Sequence, residues 1–150
     1  MSSADFLSRL SAPTNVSGAP FGVDLQALQD ALALKGGIAL YVARDDKTAA
    51  TALKLAEFNR PAMDRVLLPG WDILPYDRVS PSAAVSSARC AALSRIAQYS
   101  DGDKPLLVIT TASSLVQKVP PRETMKAASF SMVVGEEIRE EALTDYLSIN

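Results

Sequence analysis

The sequence predicts a parallel α/β sheet with flanking helices. Three short apolar runs, Ile38–Val42, Arg65–Leu68 and Leu106–Ile109, alternate with stretches of helical spacing. That alternation is the pattern of parallel strands joined by right-handed helical crossovers. The composition agrees: 48% of the 150 residues are hydrophobic and 21% are charged. A chain of this length buries roughly 70% of its unfolded surface, which is enough for one domain with a real core.

Taken in order, residues Met1 to Pro20 are rich in Ser, Ala, Pro and Gly. They read as a mobile tail with one loose helical turn around Phe6–Leu10. Val23, Leu25, Leu28 and Leu32 recur at helical spacing and predict a helix over Asp24–Lys35, ended by Gly36-Gly37. Ile38–Val42 is a continuous apolar run between glycines and charges, and is expected to be a strand buried on both faces. Asp45 or Asp46 can cap the helix that carries Ala49, Leu53, Ala56 and Phe58, with Pro61 stopping it. Arg65–Leu68 is a second strand, and a loop from Pro69 to Pro81 leads to a helix over Ser82–Gln98 with an alanine-rich packing face. Leu106–Ile109 is a third buried strand. It runs into Thr110-Thr111, which are expected to cap a helix over Ala112–Lys118 rather than to sense a nucleotide. Phe130–Val134 reads as a fourth strand, and Glu136–Ile149 as an amphipathic helix.

Composition removes several classes of chemistry. The chain has one cysteine and no histidine. An internal disulfide framework, Cys/His zinc sites, and Ser-His-Asp or Cys-His catalysis are therefore excluded. The net charge of -2 carries no dense Lys/Arg cluster, which disfavours strong autonomous DNA binding. No apolar run reaches the ~20 residues of a membrane span, and Met1–Leu10 lacks the layout of a secretory signal, so the expectation is a cytoplasmic chain.

A parallel α/β sheet directs attention to phosphate binding. Neither G-x-G-x-x-G nor G-x-x-x-x-G-K-[ST] is present. The nearest stretch, Ser17 to Asp24, has Gly18 and Gly22 four apart but is followed by Val23 and Asp24. It offers no lysine for the terminal phosphates and no hydroxyl for Mg2+, and the Asp24 carboxylate repels phosphate. No catalytic, cofactor or metal residue is therefore assigned. Asp72 and Asp77 form a conceivable carboxylate pair, but as residues of a loop they read as solvated or capping groups. Cys90, among alanines, is expected to be a buried small side chain. Arg89 and Arg95 fall on different helix faces and make no anion clamp. The candidate interaction residues are Trp71, Asp72, Tyr76, Asp77 and Arg78 in the proline-stiffened loop. They either pack the two aromatics over the sheet edge or form a recognition loop.

That loop carries a resemblance. Trp71-Asp72-x-Leu74-Pro75-Tyr76-Asp77-Arg78-Val79-Ser80-Pro81, followed by a helix with Arg89 and Leu93, resembles the N-terminal region of the bacterial transcription-repair coupling factor family. Ile109-Thr110-Thr111, Leu115 to Arg122 and Tyr41 to Asp46 are similar to further markers of that family. The resemblance implies a UvrB-like module, which is a degenerate, P-loop-type RecA-like three-layer sheet that has lost its ATP site and is incomplete in this chain. Beyond the flexible tail over 1–16, which composition alone suggests, it implies the first half of the RecA-like domain over 17–128, and over 129–150 the start of an inserted UvrA-binding domain. It also implies a non-enzymatic scaffold for UvrA, whose binding is weak or lost in this chain alone. Contacts with RNA polymerase and DNA, and the ATP and Mg2+ of the family's translocase, belong to other domains. UvrB's aromatic DNA-clamping hairpin has no counterpart, because only Arg78 to Ser80 separate Asp77 from Pro81. An incomplete sheet leads to an open edge, with marginal stability or self-association. A small independent adaptor binding a protein through Trp71–Arg78 is the alternative from another class, and a nucleotide-binding enzyme is a third.

Overall fold

The computed structural model describes residues 17–149 apart from 75, 77, 131–133, 136 and 138. The elements are α1 (Val23–Lys35), β1 (Ile38–Ala43), α2 (Asp46–Asn59), β2 (Asp64–Leu68), α3 (Ala83–Gln98), β3 (Leu106–Thr111), α4 (Ala112–Leu115), α5 (Arg122–Ala127) and α6 (Glu140–Ile149). Among the described residues the strands form one three-stranded parallel sheet in the order β1-β3-β2. Helices flank it on both faces, as the alternation predicts. Residues 1–16 of the expected tail lie outside the described residues, and 17–20 are exposed and in neither helix nor strand. The middle of the expected fourth strand also lies outside the described residues; Phe130 and Val134, at its two ends, are not in strand.

The start and stop signals act as read. Asp45 caps α2, its carboxylate accepting the Thr48 amide at 2.8 Å. Ser82, read only as the first residue of its helix, is its cap, accepting the Val85 amide at 3.3 Å. Gly36, with φ 69°, closes α1 in the left-handed region that favours glycine. Several extents differ from the reading: β3 runs on through Thr110 and Thr111, and the last helix begins at Glu140 rather than Glu136. The helix after Thr111 stops at Leu115, and α5, which is not predicted, follows Pro121. Arg122 ties α5 to the end of α3, its guanidinium donating to the carbonyls of Ala97 and Tyr99.

On one face α1 and α2 bury Leu25, Leu32, Ala49, Ala52 and Ala56 against Ala43, Leu107 and Ile109. Ala49, Ala52 and Ala56 share one side of α2, and their small size brings the helix backbone close to the sheet. Buried Gln29 is satisfied there: its amide donates to the Ala56 carbonyl at 3.0 Å and its oxygen accepts from Asn59 at 3.4 Å. On the other face α3 packs Ala92, Leu93, Ile96 and the adjoining Tyr99 against Val66, Leu68, Leu106 and Val108.

β3 is buried at all six positions. The expectation that Ile38–Val42 is buried on both faces is overturned. β1 is an edge strand, and Ile38, Leu40 and Val42 are 45%, 48% and 45% exposed. The α3 face covers β2 and β3 and leaves the outer side of β1 bare. Cys90 is likewise exposed, not buried, because Arg89 and Ala92 occupy the inward side of its turn. Among the described residues no helix is long and apolar enough to cross a membrane.

Candidate functional site

In open parallel sheets the groups that meet ligands gather beyond the carboxyl ends of the strands. Here that edge is formed by the ends of β1, β3 and β2 with the loops that follow them. Its best-built part is the start of the Pro69–Pro81 loop. The Pro69 carbonyl accepts from Arg89 Nη1 at 2.6 Å and from Ser114 Oγ at 3.2 Å. Arg89 Nη1 also lies 3.1 Å from Ser114 Oγ. The Trp71 amide donates to Gln117 Oε1 at 3.0 Å, and the Trp71 ring lies over the Arg89 guanidinium at 5.0 Å. Thr110 Oγ1 donates to the Leu68 carbonyl at 2.9 Å, fixing the end of β2 to β3.

Arg89 is 1% exposed, and its Nη2 has no hydrogen-bond partner. Burial lowers its pKa from the usual guanidinium value. Guanidinium remains charged in proteins, so the fold carries a buried cation held by neutral oxygens and an aromatic face. This residue organises the site; the sequence marks it only as part of the family resemblance and does not assign it to the loop.

The sequence-predicted residues separate into a base and a tip. Trp71 and Asp72 belong to the base. The Asp72 carboxylate accepts the Ser82 amide at 3.2 and 3.3 Å, closing the loop where α3 begins. Those bonds lower its pKa. Asp72 is thus a capping group. Tyr76 and Arg78 are exposed at the tip, beside Leu74 and Val79, which are 72% and 63% exposed. Tyr76 has φ 74°, a left-handed conformation uncommon for a non-glycine residue. Trp71 thus packs on Arg89, whereas among the described residues Tyr76 packs on nothing and is fully exposed. Asp77 lies outside the described residues.

The other crossovers at this edge are closed by the chain's own side chains. The Gly22 amide donates to Asp24 Oδ1 at 3.2 Å, and the Tyr41 hydroxyl to Asp24 Oδ2 at 3.0 Å. Burial, then the Asp24 bond and charge, raise the Tyr41 pKa to about 12. At the start of α2, bonds from Thr48 and then Arg44 bring the Asp45 pKa down to about 2. At β3, Thr111 Oγ1 accepts the Ser114 amide at 3.3 Å. A cleft of about 330 Å³ lies between Phe21, Tyr41, Arg44 and Thr48. Its helix start is occupied by a carboxylate, which opposes the binding of phosphate there. Among the described residues no group of three or more acidic, cysteine or histidine side chains is arranged to hold a metal.

Comparison with known proteins adds to this geometry. One stretch of 82 residues, 55% of the chain, is 34% identical to the transcription-repair-coupling factor of Rickettsia bellii. This segment is similar to transcription-repair-coupling factors. The coupling factor of Myxococcus xanthus is 35% identical over 80 residues, 53% of the chain. That of Mycobacterium bovis is 36% identical over 74 residues, 47% of the chain. The matches span 6–7% of the length of these coupling factors. No protein-family model and no solved structure matches the chain.

Proposed function

We propose that this chain acts as a non-catalytic scaffold segment of a transcription-repair coupling factor, in transcription-coupled nucleotide excision repair. In this reading residues 17–128 form the first half of a degenerate RecA-like domain, and 129–150 open a domain that receives UvrA. The segment helps to recruit UvrA and restrains the ATP-driven DNA translocase by packing against it. RNA polymerase and DNA are met by other parts of the coupling factor. The similarity to coupling factors carries the reading. The self-capped crossovers support its non-catalytic part, since Asp24 and Asp45 stand where phosphate oxygens would need donors.

The test is an exchange. Residues 17–128 replace the similar segment of the Myxococcus xanthus coupling factor, and the hybrid is expected to retain UvrA pull-down and strand-specific repair. A folded hybrid that loses both would overturn the scaffold role. In calorimetry the chain itself is expected to give no saturable heat with ATP and Mg2+; saturable binding would overturn the non-catalytic role.

The adaptor reading has one observation in its favour: an exposed apolar tip, Leu74, Tyr76 and Val79, on a hydrogen-bonded base. Preorganised aromatic loops suit protein recognition. Tyr76→Ala weakening a protein contact that the exchange hybrid does not need would favour it.

A further inference from the structure

We infer that the Asp101-Gly102 turn is a site of spontaneous isoaspartate formation, at which the main chain of the folded protein reroutes through the Asp101 side chain. The inference is independent of the coupling-factor reading.

The chemistry needs an acidic side chain followed by a residue that leaves the next amide nitrogen open. Asp101-Gly102 is the one place in the sequence where an aspartate or asparagine precedes glycine. The pair lies in the exposed turn between α3 and β3. Gly102 has φ 97°, a left-handed conformation that glycine adopts without strain. Apart from its chain neighbours, no heavy atom comes within 4 Å of the position its Cβ would take, so nothing crowds the amide. Two hydrogen bonds close the turn. The Asp103 amide donates to the Ser100 carbonyl at 3.1 Å, and the Ser100 amide to Asp103 Oδ2 at 2.8 Å. Both bonds belong to the flanking residues. Among the described residues neither the Asp101 carboxylate nor the Gly102 amide is held by a hydrogen bond, so the two reacting groups are free to meet.

The step balances with water as its only co-reactant. The Gly102 amide nitrogen attacks Cγ of the protonated Asp101 carboxyl. A C–N bond forms, a C–O bond breaks, and the amide proton leaves with the hydroxyl as water. Solvent water then opens the succinimide. Attack at the former side-chain carbonyl restores aspartate. Attack at the main-chain carbonyl leaves Gly102 joined through Cβ and Cγ of residue 101, with the α-carboxylate as the side group. Mass and net charge are unchanged. The new link adds one main-chain atom inside the span that the two Ser100–Asp103 bonds close, and both bonds are expected to be lost. Only Lys104 and Pro105 separate this turn from Leu106, which opens the central strand and donates to the Gly37 carbonyl at 3.0 Å. The rearrangement therefore loosens the lead-in to β3.

Incubation of the full chain at neutral pH tests the inference. An endoproteinase that cuts before aspartate is expected to lose cleavage between Ser100 and Asp101 progressively, with no change of peptide mass, while the bond before Asp103 stays cleavable. An isoaspartyl carboxyl methyltransferase supplied with S-adenosylmethionine is expected to label the same peptide. Asp101→Glu would need a larger ring and is expected to abolish both signals. Asp101→Asn is expected to convert faster, because its amide needs no protonation before attack. Circular dichroism establishes that the variants fold. A folded chain that stays fully cleavable before Asp101 overturns the inference, and conversion only after unfolding in urea would show that the turn keeps the two groups apart. Methyl label undiminished in Asp101→Glu overturns it as well, by placing the isoaspartate elsewhere.

Discussion

On one face of the sheet, α2 touches all three strands and α1 lies beside it over β1 and β3. On the other, α3 packs on β2 and β3 and leaves β1 bare. The strands supply both faces with similar aliphatic residues, so the difference does not lie in hydrophobicity. It lies in helix number and placement. Two alanine-faced and leucine-faced helices close the first side, while a single helix closes two-thirds of the second. The α1–α2 face therefore makes the folding core. The α3 face holds the Pro69–Pro81 loop at one end and an unfilled strip at the other.

Paired truncations break this comparison most directly. Leu107 is fully buried under α1 and α2. Leu107→Ala is expected to cost about 2–5 kcal/mol, the range for a buried leucine whose cavity cannot collapse. Leu40→Ser, on the bare strip, is expected to cost the monomer no more than about 0.5 kcal/mol, as for ordinary surface changes. Urea titration followed by circular dichroism at low concentration measures both. Equal losses would mean that the bare strip is covered in solution.

Arg89 sharpens the comparison on the α3 side. Its guanidinium bonds to Pro69 and Ser114 and lies under Trp71, but burial of an unpaired cation offsets much of that gain. Ser114 still reaches the Pro69 carbonyl when the arginine is gone. Arg89→Met is thus expected to cost only about 1 kcal/mol of global stability, near the net value of one hydrogen bond. The loop is expected to respond more strongly. Trp71 is the only tryptophan, so its emission reports on the loop base directly. A red shift and greater acrylamide quenching are expected in Arg89→Met. An unchanged Trp71 signal would show that Gln117 and the flanking backbone hold the loop unaided.

Much of this architecture was legible locally. Asp45 and Thr111 announce helix starts because a capping side chain acts within three residues of itself. Alternation of strands and helices gives the parallel sheet. Strand order is not local. Ile38–Val42 and Leu106–Ile109 look alike as apolar runs, yet the second is central and the first is an edge. No periodicity within either run distinguishes them. Arg89 was hidden for the same reason. Its partners Pro69 and Ser114 are 20 and 25 residues away, so its burial follows from the crossing of β2 and β3 ends rather than from its own helix. Trp71 and Tyr76 share one loop, but only the first has a guanidinium beneath it. Sequence proximity could not sort base from tip.

The smallest expected effect concerns α2, which closes the first face. The Asp45 carboxylate accepts the Thr48 amide and faces Arg44, and its pKa is brought down to about 2. The ordinary aspartate value is about 3.9. A carboxylate whose pKa is lower folded than unfolded binds fewer protons in the native state. Its contribution is complete above the ordinary value and is lost as pH falls from about 4 towards 2. The melting temperature of the wild type should therefore decline across that window. Asp45→Asn retains an acceptor for the Thr48 amide but has nothing to titrate. It is expected to melt slightly lower than wild type at neutral pH and to show a shallower acid decline, the two curves converging near pH 2. Asp72 is also held below its ordinary value, so a residual slope remains in Asp45→Asn. Parallel curves would mean that the start of α2 is frayed before the carboxylate protonates, and that the closed face is held by Ala49, Ala52 and Ala56 without help from the cap.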